Sequence, residues 1–218
     1  MNWLFYILYL LIEAPIFRAI ENHDDNEAIK LLEKPYNITV KDKWGRTPLI
    51  AASNAGNTKI VSKLISLGAD VNYISKKSGI NAISAGVMTG AIDVAKILID
   101  AGANIEQGVT DPENLYENMT PLMWAANRGY VDIVQLLIDS GADLDKVDSN
   151  NVTAIMYVTS GSEKDLEVFK VLIKQKPNIE IRDWRGRNVI DEARDRCNNS
   201  NNPQMKELIE AYYPGIII

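Results

Sequence analysis

Glycines recur in register along this chain, and their spacing restricts the possible fold more than any other feature. Gly56, Gly90 and Gly129 are separated by 34 and 39 residues, and Gly68, Gly102 and Gly141 follow the same steps. Around them Thr47-Pro48-Leu49 returns as Thr120-Pro121-Leu122. Likewise, Gly68-Ala69-Asp70-Val71-Asn72 returns as Gly102-Ala103-Asn104-Ile105 and Gly141-Ala142-Asp143-Leu144. Self-similarity at a period of about 33 residues marks a stack of small units. None of them can bury its own apolar face, so neighbours must share one elongated core. Weaker copies of the Thr-Pro-Leu segment are Ala14-Pro15-Ile16, Asn81-Ala82-Ile83, Thr153-Ala154-Ile155 and Asn188-Val189-Ile190.

These copies divide residues 14–213 into six expected units: 14–41, 42–74, 75–106, 107–145, 146–180 and 181–213. An apolar segment, 1–13, precedes them and a short tail, 214–218, follows. Surplus residues fall in Gln107–Asn118, Ser160–Asp165 and Arg194–Gln204. The first of these insertions, holding Gly108 and Pro112, is expected to be the most mobile internal loop. Each unit reads as turn, helix, turn, helix. Thr47 is a good N-cap, Pro48 suits the first helical position, and Gly56 supplies the left-handed residue that ends a short first helix. The second helix carries Ile60, Val61, Leu64 and Ile65 and stops at Gly68; Ile133, Val134, Leu137, Ile138 and Gly141 repeat the arrangement. Small residues at Ala51, Ala52, Ala125 and Ala126 allow close helix approach. Between units, Asp42-Lys43-Trp44-Gly45 and Asp183-Trp184-Arg185-Gly186 have the composition of tight, outward-projecting turns.

Gly45-Arg46-Thr47-Pro48-Leu49-Ile50-Ala51-Ala52 through Gly68-Ala69-Asp70-Val71-Asn72 resembles an ankyrin repeat, and the resemblance extends over about residues 14–213. It implies an all-α solenoid of six helix-turn-helix units with projecting β-turns. Ile50 and Met123 stand where the family usually has His, so apolar packing is expected to replace that residue's hydrogen bonds. The resemblance also implies a protein-binding module or scaffold, without catalysis, that recognises a partner on its concave side. The positions that match the family's contacts are Lys43, Trp44, Arg46 and Asn54 in the second unit. They are Tyr116, Glu117, Met119, Asn127 and Arg128 in the fourth, and Trp184, Arg185 and Arg187 in the sixth. Trp and Arg are enriched at interface hot spots, which singles out Trp44 and Trp184. Alternatively, each Trp folds back over its neighbouring unit as packing.

The remaining features narrow the function further. The chain carries 23 Lys and Arg against 29 Asp and Glu, a net −6 that disfavours binding to phosphate backbones. One cysteine, Cys197, and one histidine, His23, exclude an internal disulfide and a Cys/His zinc module. The partner is therefore expected to be another protein rather than nucleic acid, and the chain a monomer without cofactor or metal. Trp3–Ile12 is uncharged but too short to span a bilayer, which takes about 20 residues. It reads as an apolar cap on the first unit, as part of an exported chain's leader, or as a shallow membrane anchor. Localisation is accordingly expected to be cytoplasmic, with export or membrane association as the alternative. A cap predicts that deleting residues 1–12 destabilises the array by exposing Ile16, Ile20, Ala28 and Leu31; an anchor predicts only a change of compartment.

Asp143–Asn150 resembles a calcium loop but lacks the glycine and terminal glutamate that such a loop needs. The four Asn-x-Ser/Thr tripeptides at Asn37, Asn118, Asn151 and Asn198 read as turn chemistry. His23, beside Asp24 and Asp25, reads as a solvated turn. Arg182, Arg185, Arg187, Arg194 and Arg196 interleave with four carboxylates as a salt-bridged face. No Gly-rich phosphate loop or Ser/His/Asp set points to an enzyme.

Overall fold

The N-cap, proline and glycine signals at Thr47-Pro48, Asn81 and Thr120-Pro121 produce helices where they occur. The structure, a computed structural model, describes residues 14–34, 38–109, 118–158, 163–200 and 204–216. Trp3–Ile12, Tyr116, Glu117 and most of the Gln107–Asn118 insertion lie outside the described residues. The chain divides into two units, Met1–Asn104 and Ile105–Ile218.

Among the described residues, the first unit holds three helix pairs: α1 (Pro15–Glu21) with α2 (Asp25–Leu31), α3 (Pro48–Asn54) with α4 (Thr58–Ser66), and α5 (Ala82–Met88) with α6 (Ile92–Asp100). First helices pack on first helices, α1 on α3 on α5, and second on second, α2 on α4 on α6, so two layers enclose the core. Thr47 Oγ1 accepts from the Ile50 N–H, Asn57 Oδ1 from Ile60 and Asn81 Oδ1 from Ser84, each satisfying a donor that the first turn would otherwise orphan. Ile60, Val61 and Leu64 are buried along one face of α4, as the helical spacing predicts.

The second unit holds α7 (Pro121–Arg128) with α8 (Val131–Asp139), a 3₁₀ turn (Ala154–Tyr157) with α9 (Glu163–Lys174), and α10 (Val189–Ser200) with α11 (Gln204–Tyr212). Here α7, the 3₁₀ turn and α10 form one layer, and α8, α9 and α11 the other. Val109 and Met119 pair backbone to backbone at the foot of the insertion. A side chain at Gly108 would lie 2.4 Å from the Asn118 carbonyl oxygen, so this closure requires glycine.

The fifth pair departs from the expected full first helix. Counting five residues on from each N-cap position gives Ala19, Ala52, Gly86, Ala125 and Ala193, but Val158 in this pair. A buried β-branched residue replaces the small one, and Thr159, Ser160, Gly161 and Ser162 follow, a run of poor helix formers.

The left-handed positions form their own repeat. Gly45, Gly79, Asn118, Asn151 and Gly186 all have positive φ and stand two residues before an N-cap position. His23 and Lys176 adopt the same conformation at the slots that Gly56 and Gly68 fill in the second pair. This accounts for His23, and for two of the Asn-x-Thr tripeptides, by turn geometry.

Candidate functional site

Three turns share one construction around a buried aspartate. Asp42 Oδ1 accepts from the N–H groups of Trp44 at 2.9 Å and Arg46 at 2.8 Å, and its Oδ2 accepts from Arg46 Nε at 2.6 Å. Asp183 repeats this with the N–H of Arg185 at 2.8 Å, the N–H of Arg187 at 3.0 Å and Arg185 Nε at 2.8 Å. Asp148 does so with Asn150, Val152 and the Tyr157 hydroxyl. Burial pushes the Asp183 carboxyl up, but the backbone of Arg187, the guanidinium and backbone of Arg185 outweigh it and hold the group below the ordinary aspartate range. The carboxylates of the calcium-like segment are thus turn anchors. Asp143 caps Asp145, and Asp145 accepts from Asn178.

Neighbouring turns are tied together. Ser75 Oγ donates to the Trp44 carbonyl at 2.8 Å, Lys77 Nζ to the Lys43 carbonyl at 3.1 Å, and the Trp184 N–H to the Asn150 carbonyl at 3.0 Å. Trp44 is therefore presented on an anchored turn, 45% exposed, with the Lys43 ammonium 3.9 Å and the Arg46 guanidinium 4.6 Å from its ring centroid. Trp184 is 73% exposed, and the Arg185 guanidinium lies 6.0 Å from its ring. Trp184 thus stands largely in solvent, while Trp44 is partly covered, with the Lys43 and Arg46 cations against its ring.

The other contact candidates fall into three groups. Lys43, Asn54, Asn127 and Arg128 are exposed. Arg46, Arg185 and Arg187 are committed to the chain's own carboxylates: Arg46 to Asp42 and Glu21, Arg185 to Asp183 and Glu192, and Arg187 to Glu192 and Asp195. Met119 is fully buried, because its backbone bridge to Val109 turns it into the core, and it offers no surface. With Arg182–Asp191 and Arg194–Asp191, the Arg185 and Arg187 pairs make the salt-bridged face that the sequence suggests, while the Arg196 side chain lies outside the described residues. Sequence reasoning missed Tyr73, Ser75 and Lys77 beside Trp44. The usable signal is the period itself, which brings residues about 30 apart onto adjacent turns.

Among the described residues, no three His, Cys, Asp or Glu side chains gather to hold a metal ion, and no helix is long and apolar enough to cross a membrane.

Comparison with known proteins adds to this geometry. The family model for ankyrin repeats (3 copies) matches residues 16–109 and 106–183. The chain is similar to a crystal structure of an ankyrin repeat domain from Acinetobacter baumannii AYE, with a TM-score of 0.77 and 25% identity over 92% of this chain and 98% of that one. It is 31% identical over 93 residues to dauer abnormal formation protein 25 of Caenorhabditis elegans, covering 43% of this chain and 24% of that protein. It is 30% identical over 168 residues to alpha-latrotoxin-Lg1a of Latrodectus geometricus, covering 74% of this chain and 12% of that protein. The chain thus spans a quarter or less of the length of these two curated relatives.

Proposed function

The chain belongs to the ankyrin repeat family, and on that premise we propose that it is a non-catalytic module or scaffold of six units that binds a partner protein through turn tips and first-helix ends on the concave face of its array. Ankyrin repeats generally mediate protein–protein interaction. The observation that carries the reading is the pair of exposed tryptophans on aspartate-anchored turns. A large amphipathic ring on a turn already held by hydrogen bonds loses little conformational entropy on docking, so its contact area converts efficiently into affinity.

Partner capture by the wild type is compared with capture by a Trp44→Ala/Arg128→Ala double variant and by Trp184→Ala. The variants should keep the wild-type unfolding midpoint, because all three side chains are exposed, and at least one should lose most of the captured partner. Equal capture by all three proteins rejects the turn-tip interface. In this reading the module works as a cytoplasmic monomer. Recovery in a membrane or exported fraction would instead favour tethering or export through Trp3–Ile12.

A further inference from the structure

The net charge of −6 hides a strong asymmetry. Residues 34–92 contain eight Lys and Arg but only Asp42 and Asp70 as acids, a local +6 that leaves −12 for the remainder of the chain. Asp42 is buried and spent on the Trp44 turn. Arg46 is neutralised by Asp42 and Glu21. What remains at the tied second and third turns is Lys41, Lys43, Lys76 and Lys77, all exposed and, among the described residues, none in an ion pair with a carboxylate.

Three of these ammonium groups are held in place. Lys41 Nζ lies 4.7 Å from the Tyr73 ring centroid, Lys43 Nζ lies 3.9 Å from that of Trp44, and Lys77 Nζ is hydrogen-bonded to the Lys43 carbonyl. The Tyr73 hydroxyl reaches the Gly45 carbonyl at 3.5 Å and Ser75 Oγ the Trp44 carbonyl, which joins the two loops into one surface. Resting on the proposal that the chain binds proteins, we propose that this surface docks an acidic, Asp/Glu-rich segment of the partner, whose carboxylates pair with the four lysines while an apolar residue beside them covers Trp44.

Charge complementarity selects that occupant. Four lysines would release only about four counterions from a nucleic acid, too few for firm binding at physiological salt. A short acidic segment can satisfy the patch locally, because charges beyond a Debye length of about 8 Å are largely screened.

The test titrates full-length protein into a labelled peptide of alternating Glu and Leu, with the Gln-for-Glu peptide as its uncharged twin. Wild type should bind the Glu peptide and bind the Gln peptide at least about tenfold more weakly, with affinity falling as salt rises. Lys43→Glu/Lys77→Glu should lose at least about tenfold. Lys41→Glu/Lys76→Glu, which disturbs no loop-to-loop hydrogen bond, should lose a comparable amount. Lys63→Glu/Lys96→Glu makes the same change in net charge on second helices and should bind as wild type.

Equal binding of the two peptides, or equal binding by the patch and control variants, overturns the proposal. So does tighter binding of a single-stranded oligothymidylate or of phosphatidylserine vesicles. A salt-sensitive rise in mass with concentration, removed by Lys43→Glu/Lys77→Glu, would overturn it in favour of a second copy of this chain. If the captured partner still depends on Trp44 or Trp184 but not on these lysines, the protein-binding reading survives and the acidic-segment proposal fails.

Discussion

The second and fifth helix pairs run through the same plan with different success. In the second, Thr47 caps, Pro48 opens α3, Ala52 lets the neighbouring helix approach and Gly56 closes the turn, so every local preference agrees with the fold. In the fifth, Thr153 lacks a side-chain capping bond, Ala154 replaces the proline, Val158 fills the small-residue slot, and the first helix shrinks to a 3₁₀ turn. Yet the Asp148 turn before it is as well anchored as the Asp42 turn. Turn construction and helix length are thus separable in this chain. A buried aspartate with two backbone donors needs only a few residues in sequence, whereas a first helix needs space from its neighbour.

Copying the fifth pair's residue into the second tests this most severely. Ala52→Val places a β-branched side chain in a fully buried site and should cost about 2–3 kcal/mol. A melting midpoint within a degree or so of wild type would show that the small slot does not limit α3. Gly45→Val should cost about 2 kcal/mol, since φ is +74° and a Cβ would lie 2.9 Å from Ser75 Oγ, breaking the tie to the Trp44 carbonyl.

Gly68→Val isolates strain from crowding, because φ is +85° but nothing lies within 4 Å of the added Cβ. Denaturant titration should show a smaller loss, just over about 1 kcal/mol. In the opposite direction, Lys176→Gly relieves a left-handed lysine at the equivalent helix end and should stabilise by about 0.5–1 kcal/mol. No gain would mean that the second unit stores no strain there.

The smallest effect is expected in acid. Because the folded Asp183 carboxyl titrates below its unfolded value, its contribution is present above the unfolded value and is lost as pH falls through the folded one. Asp183→Asn should lower the midpoint at neutral pH and flatten its decline on acidification, as followed by circular dichroism.

Much of the fold was legible in the residues. Capping by Thr47, Thr120 and Asn81, the left-handed glycines and the buried stripe of α4 depend on neighbours within one turn of chain, so pattern and propensity suffice to find them. The candidate interface was legible only in part. Trp44 and Trp184 stand on turns as expected, but nothing local in sequence distinguishes Arg46, which is paired with Glu21, from Lys43, which is exposed.

What the sequence determined by itself is the period, the helix ends and the aspartate turns, because their energetics close over a few residues. What only the tertiary structure decided is which turn side chains meet water. Ser75 and Lys77 reach back across a full repeat to hold the Trp44 turn, while Asp42 and Glu21 claim Arg46 and the Val109 bridge draws Met119 into the core. Exposure depends on where the neighbouring repeat passes, and that is set by packing between units rather than by the order of residues within one.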